Sequence, residues 1–254
     1  MMKISGVIIT YNEERNIERC IRALMPVVDE IIVVDSFSTD RTEAICIENG
    51  VKFYQRKFDG YGSQKRFATD LANFEYVLSL DADEELSPLL SNSILEAKQG
   101  TQYDCYSFNR LNIYCGKPIR FCGWYPDKQV RLFNKKGLNW STNLVHEKLV
   151  LDKYGLKTSH LKGDLLHYTC TTIEEHKSKE YKYSELNAQI LMEKNRKVYP
   201  IIPYLKAIVR FIKIYILKGG FLDGYYGWVI STTLAYSSFR KYNLVRNKNS
   251  NKKN

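Results

Sequence analysis

Tyr76-Val77-Leu78-Ser79-Leu80-Asp81-Ala82-Asp83 is a short apolar run that stops on two acids. Apolar runs without alternation suit strands covered on both faces of a parallel sheet. Three earlier segments repeat the form. Lys3 to Thr10 is β-branched and ends at Tyr11-Asn12, Glu30-Ile31-Ile32-Val33-Val34-Asp35 ends on an acid, and Val51 to Tyr54 follows Asn49-Gly50. Helical spacings lie between them. Glu13 to Leu24 repeats through Ile17, Cys20, Ile21 and Leu24. A second helix runs through Ala44, Ile45 and Ile47, capped by Ser38 or Asp40. A third covers Gln64 to Asn73 after the loop Asp59-Gly60-Tyr61-Gly62-Ser63. This alternation predicts an α/β fold, an αβα sandwich on a mostly parallel central sheet, with ligands beyond the carboxyl ends of the strands.

Farther along, Tyr106 to Asn109, Gln129 to Phe133, Val145 to Leu151 and Asp164 to Tyr168 read as short strands that complete the sheet and cover the cleft. Thr172-Ile173-Glu174-Glu175 is a capping box that opens a helix to about Lys197, which Pro200 and Pro203 end. No internal repeat is present.

The chain of 254 residues is 44% hydrophobic and 26% charged, which argues against wholesale disorder and against a polytopic membrane protein. Its net charge of +10 is uneven. From Ile201 onward there are ten Lys or Arg against the single acid Asp223, whereas the first 200 residues are nearly neutral. A neutral body with a basic, aromatic tail suggests a module delivered to an anionic surface rather than a polyanion-binding body. Two domains are expected: a body of residues 1–200, divided near residue 100, and a tail over 201–254. The six Cys form no C-x-x-C pair and no zinc spacing, so buried thiols are expected. Met1 to Arg15 does not read as a secretory leader, and a reducing compartment is the expectation.

Asp81 and Asp83 lie two apart at a strand end, where both carboxylates can share one hard cation, Mg²⁺ or Mn²⁺, and leave positions for water and phosphate oxygens. A bare D-x-D also reads as an acidic turn before a helix. Asp35 ends another strand, where it can accept from a base N–H or a ribose hydroxyl, or cap the helix that follows. Tyr11 offers a flat face to a nucleobase, or packs as a loop aromatic. The first turn, Thr10-Tyr11-Asn12-Glu13-Glu14, carries neither G-x-G-x-x-G nor a P-loop, which disfavours a dinucleotide oxidoreductase and a P-loop enzyme.

Val7-Ile8-Ile9-Thr10-Tyr11-Asn12-Glu13, Val33-Val34-Asp35-Ser36-Phe37-Ser38-Thr39-Asp40-Arg41-Thr42 and Leu78-Ser79-Leu80-Asp81-Ala82-Asp83-Glu84 together resemble the inverting glycosyltransferases of family two, whose fold is called GT-A. The similarity continues through Gly123-Trp124-Tyr125-Pro126-Asp127, Arg131-Leu132-Phe133, Val145-His146-Glu147 and His167-Tyr168, a set similar to the bacterial lipopolysaccharide-core β-glucosyltransferase branch. The resemblance implies a UDP-hexose donor, glucose foremost, and a lipid-linked or lipopolysaccharide-core glycan acceptor. Tyr11 would stack on uracil, Asp35 would bond the base, and Lys65 would lie near the ribose or phosphates. Thr10 and Glu13 fall in the same donor motif. Asp81 would contact ribose or metal-bound water, Asp83 would be the principal metal ligand, and His167 would reach the metal or the diphosphate, or else be a buried structural His. Glu147 is the candidate base, with Asp127 the alternative. His146 can hold Glu147 in place, and Trp124, Tyr125 and Arg131 fall on the acceptor side.

In the tail, Lys206, Arg210 and Lys213 share one narrow stripe, and apolar side chains fill a wider arc than a soluble surface helix needs. The charge-free stretch Gly224 to Phe239 has 16 residues, short of the roughly 20 that a span requires. A C-terminal amphipathic helical region lying in the plane of an anionic bilayer is expected, with a helix packed on the body or in a dimer interface as the alternative. The expected place of the protein is the inner face of the bacterial cytoplasmic membrane. Nucleic acid is not the expected partner, although cationic and aromatic residues together also bind single strands. A fold that has lost catalysis and only binds glycans is the remaining alternative.

Overall fold

The computed structural model describes residues 2–100, 102–141, 149–151, 155–194 and 196–251. The chain divides into two units, Met1–Arg110 with Asp127–His167 and Leu111–Pro126 with Tyr168–Asn254.

The first unit opens with β1 (Ile4–Thr10), α1 (Ile17–Leu24), β2 (Glu30–Asp35), α2 (Thr42–Glu48), β3 (Lys52–Gln55), α3 (Tyr61–Asp70) and β4 (Tyr76–Asp81). It continues through β5 (Glu84–Leu86), α4 (Pro88–Gln99), β6 (Cys105–Tyr114), β7 (Lys117–Pro118), β8 (Asp127–Asn134), β9 (Leu138–Trp140), β10 (Leu149–Leu151) and β11 (Thr158–Cys170), of which β7 and the ends of β6 and β11 belong to the second unit. The strand order is β3-β2-β1-β4-β8-β6-β11-β5. β1, β2, β3 and β4 are parallel to their neighbours in that set. Beyond β4 the sheet turns antiparallel, through β4 with β8, β8 with β6 and β11 with β5.

Successive residues of the parallel strands feed two cores, as their unbroken apolar character predicts. Ile8, Val33 and Leu78 pack with Ile17, Cys20 and Ile21 of α1 and Leu90 and Ile94 of α4. Val7, Ile32 and Val77 pack on the other face with Ala68 of α3, Phe133 and Trp140. The αβα layering is therefore present, with the parallel half of the sheet at its centre. β6 and β11 run longer than the sequence reading, the helix expected to reach about Lys197 stops at Glu193, and two helix starts also depart from that reading. α1 starts at Ile17 rather than Glu13, because residues 13 to 16 close a turn in which the amides of Asn16 and Ile17 both donate to the Glu13 carbonyl. α3 starts at Tyr61, straight after Gly60, whose φ of 127° ends the preceding loop.

The second unit holds α5 (Ile173–Glu193), α6 (Ile202–Phe211), a π-helical turn (Ile212–Leu217), a 3₁₀ turn (Gly220–Asp223) and α7 (Gly224–Asn251). Half of the expected capping box is present: Thr172 Oγ1 accepts from Glu175 N at 3.1 Å, while the Glu175 carboxylate reaches one residue farther back and accepts from Thr171 N at 2.9 Å. α5 runs against α7, where the Arg240 guanidinium lies 3.2 Å from the Tyr181 ring centroid and donates to Glu185 at 2.7 Å. The boundary expected at residue 200 falls inside this unit. A Cβ at Gly227 would fall 1.7 Å from the Gly220 carbonyl oxygen, so the 3₁₀ turn and α7 approach as closely as they do because both positions lack one. Asp223 accepts from the amides of Arg120 and Phe121 at 3.1 and 2.9 Å. Among the described residues no helix is long and apolar enough to cross a membrane. All six cysteines are free, five of them buried and Cys115 partly so.

Candidate active site

Register alone brings the first site residues to one edge: Thr10 lies opposite Asp35, and Ile9 opposite Asp81. Asp35 is fully buried and turns inward on its own loop. It accepts from Ser38 N at 2.7 Å and from the Ser38 hydroxyl. Ser38 Oγ in turn accepts from Asn12 N at 2.8 Å, and Asn12 Oδ1 accepts from Thr39 N at 2.8 Å. Asn12 and Phe37 sit in the left-handed region, with φ of 54° and 63°. Thr42 Oγ1, held by Asp40, accepts from Glu13 N at 2.9 Å. The loops after β1 and β2 are thus stitched together. Two aromatic rings stay outside the stitching, Tyr11 at 57% and Phe37 at 52% exposed. Thr10 Oγ1 is buried without a hydrogen-bond partner, and the Glu13 carboxylate accepts from Asn16 Nδ2 at 2.6 Å.

Next to this edge lies a chain of charges built on the buried Lys65, Glu84 and Arg131. Lys65 Nζ stands 3.0 Å from Asp81 Oδ1 and 5.1 Å from the Trp140 ring centroid. Arg131 Nη2 reaches Asp81 Oδ2 at 2.9 Å and Glu84 Oε1 at 2.8 Å. Glu84 has no exposure, and its other oxygen accepts from Asp81 N at 3.0 Å. Arg110 continues the chain, clasping Asp127 Oδ2 through Nε at 2.9 Å and Nη2 at 2.7 Å, while Gln129 donates to Asp127 Oδ1 at 2.8 Å. Burial alone would raise the Asp81 pKa, yet the charges and hydrogen bonds of Lys65 and Arg131 hold it well below the usual carboxylate range. Burial would likewise lower Arg131, and Glu84 and Asp81 override it upward.

Asp83 faces another group. Its Oδ2 lies 3.3 Å from His167 Nε2, both side chains partly exposed, and the pairing of β11 with β5 sets this up by placing His167 opposite Glu84. The two acids of the D-x-D therefore differ from the shared-cation expectation: Asp81 meets two cationic side chains, and Asp83 meets an imidazole. The Asp83 carboxylate suits Mn²⁺ or Mg²⁺ when water and phosphate oxygens complete the shell, whereas the imidazole is a softer donor that fits Mn²⁺ better than Mg²⁺. Among the described residues no three His, Cys, Asp or Glu side chains are grouped to hold a metal by themselves.

The remaining expected residues divide three ways. Arg131, expected on the acceptor side, is instead only 4% exposed and bound to Asp81 and Glu84; its place is inside the charge chain. Trp124 and Tyr125 belong to the second unit. Trp124 stands edge-on to Tyr114 at 5.9 Å and to His176 at 6.1 Å, and the Arg120 guanidinium lies 5.5 Å from the Tyr125 ring centroid. His146 and Glu147 lie outside the described residues. Sequence reasoning missed Glu84, Arg110, Ser38 and Phe37. Ser38 and Phe37 stood inside a quoted motif, and Glu84 directly follows the D-x-D. Arg110 carried no signal, because its partners lie far away along the chain.

A family model described as "Glycosyl transferase family 2" matches residues 5–153. An uncharacterized glycosyltransferase of Rickettsia felis is 33% identical over 257 residues, covering 97% of this chain and 90% of its own. The lipopolysaccharide core biosynthesis glycosyltransferase LpsC of Rhizobium meliloti is 29% identical over 252 residues, covering 94% of this chain and 90% of its own. Among solved structures, glucosyl-3-phosphoglycerate synthase of Mycobacterium tuberculosis in complex with Mn²⁺ and UDP-glucose is 26% identical, covers 44% of each chain and gives a TM-score of 0.37.

Proposed function

Because the chain belongs to glycosyl transferase family 2, we propose that it moves a hexose, glucose foremost, from a UDP-sugar to a lipid-linked or lipopolysaccharide-core glycan with inversion at the anomeric carbon. The observation that carries the reading is the pairing at one sheet edge: Asp81 neutralised by Lys65 and Arg131, and Asp83 beside His167. Asp83 and His167 would hold Mg²⁺ or Mn²⁺, which when bound neutralises charge on the departing diphosphate.

The chain's own groups have separate tasks in this reading. The exposed Tyr11 ring stacks on the base, and Asp35 acts by holding Ser38 and the two loops in place. Lys65 and Arg131 keep Asp81 ionised and fixed in position, so this wall needs little reorganisation as charge develops. The acceptor oxygen forms its bond to the anomeric carbon as the bond to the diphosphate oxygen breaks, and its proton passes to a carboxylate. Glu147 is the proposed base. Asp127 is the weaker candidate, because Arg110 and Gln129 already occupy both of its carboxylate oxygens. The proposed place of work is the cytoplasmic face of the membrane, with the second unit providing a peripheral attachment.

A thermal-shift screen of nucleotide sugars with and without Mn²⁺ tests the reading. UDP-hexoses are expected to raise the melting temperature in a Mn²⁺-dependent way, and release of UDP on adding a core oligosaccharide follows. No shift with any UDP-sugar under either condition would reject it.

A further inference from the structure

α6 and the π turn carry two apolar faces. Pro203 and Ile214 are buried and Ala207 and Phe211 partly so, and these residues turn toward the unit's interior, where Phe211 meets Trp228 edge-on at 5.5 Å. Leu205, Ile208, Val209, Ile212 and Ile216 repeat at helical spacing about half a turn away from that face, and together with Leu217 they are between 42% and 75% exposed. An amphipathic helix normally hides its apolar stripe. Here the stripe points out, and the second apolar face explains why the apolar arc of this segment is too wide for a soluble surface helix. Lys206, Arg210 and Lys213 occupy the arc between the two faces, and Lys218 follows the π turn; all four are exposed, and none is paired with an acid among the described residues.

We propose that this stripe is the bilayer-inserting edge of the protein, its apolar side chains entering the acyl boundary of an anionic leaflet while Lys206, Arg210, Lys213 and Lys218 remain at the phosphates. This deepens the peripheral attachment in the proposed function by naming the surface and its partner. Charge selects the occupant. In a self-association through this stripe the cations of one copy would meet those of the other. The one acid after residue 200, Asp223, is committed to the amides of Arg120 and Phe121. Anionic lipid supplies the missing countercharge, at a depth that matches an apolar face buried in the headgroup boundary.

The test is vesicle flotation with the full chain. Wild-type protein is expected to float with vesicles of phosphatidylethanolamine and phosphatidylglycerol and to bind phosphatidylcholine vesicles much more weakly. The Ile208→Asp/Ile212→Asp variant removes two inserted side chains at exposed positions and should keep its circular dichroism and melting temperature, with partition onto the anionic vesicles falling about tenfold or more. Arg210→Glu/Lys213→Glu should weaken anionic binding and flatten its salt dependence. Equal flotation of the Ile208→Asp/Ile212→Asp variant, or no flotation of the wild type, overturns the proposal. So does a wild-type dimer in analytical ultracentrifugation that this variant converts to monomer, which would make the stripe a self-interface. Lipid binding is read without any sugar donor, so its failure is distinct from failure of the transferase reading.

Discussion

Lys65 Nζ lies 3.0 Å from Asp81 Oδ1 with the lysine side chain only 2% exposed. An ammonium this deep is tolerable only with its partner, and its removal leaves Asp81 to Arg131 alone. Lys65→Met is expected to lower unfolding stability by about 1.5–3 kcal/mol, the scale of a hydrogen bond to a charged group, measured by urea denaturation at neutral pH. A variant as stable as the wild type would mean that the pair is solvated.

The same pair makes an acid limb. The folded Asp81 pKa is depressed, so its contribution is complete above the ordinary carboxylate value of about 4 and is lost as pH falls below it toward the folded value. Comparing wild type with Asp81→Asn from pH 7 to pH 2 should show the wild-type advantage shrinking only below about pH 4. Shrinkage that is already complete at pH 5 would contradict this assignment.

His176 predicts a second limb at higher pH. Burial first, and the Lys179 charge second, push its pKa down to about 4. Between that value and the unfolded value of about 6.5 the unfolded chain binds the extra proton, so stability falls as pH drops through that window, by about 3 kcal/mol in all. Guanidinium titrations at pH 7 and pH 5 should show the loss in the wild type and not in His176→Phe.

Asp83→Ala should retain the fold and lose Mn²⁺-dependent transfer below detection. His167→Gln is expected to raise the Mn²⁺ concentration needed for half-maximal rate by at least about 10–100-fold, the scale seen when groups that only support a metal's ligands are removed. Undiminished transfer by Asp83→Ala at limiting Mn²⁺ would place the metal elsewhere.

Tyr11→Ala should weaken UDP binding by about tenfold and Tyr11→Phe should leave it unchanged, since stacking needs the ring and not the hydroxyl; isothermal titration calorimetry reads both. Glu147→Gln should bind donor normally and turn over about 10²–10⁴-fold more slowly. A Glu147→Gln enzyme at full rate would pass the base role to Asp127.

The parallel half of the sheet was legible because its strands are buried on both faces and show it as unbroken apolar runs. β5 and α4 were not, since three residues and a mixed-polarity helix leave weak periodic signals. The charge chain was half legible. Asp81 stands at a strand end where a ligand is expected, whereas Arg131 sits in β8 and finds its partners at residues 81 and 84, a long-range pairing that no local spacing encodes. The tie between α5 and the helices beyond residue 200 was not legible for a related reason. α5 buries His176, Ser184 and Ala188 and displays no apolar stripe to tie it to α7, while Tyr181 and Arg240 make the tie through a stacked cation.

Ser38, bonded at once to Asp35 and to Asn12, ties the two first loops into one piece. In the proposed reading a base docking there forfeits little chain entropy, and the exposed rings at positions 11 and 37 are what it meets. Retuning donor preference would then come from exchanging those two side chains, with the backbone beneath them left untouched.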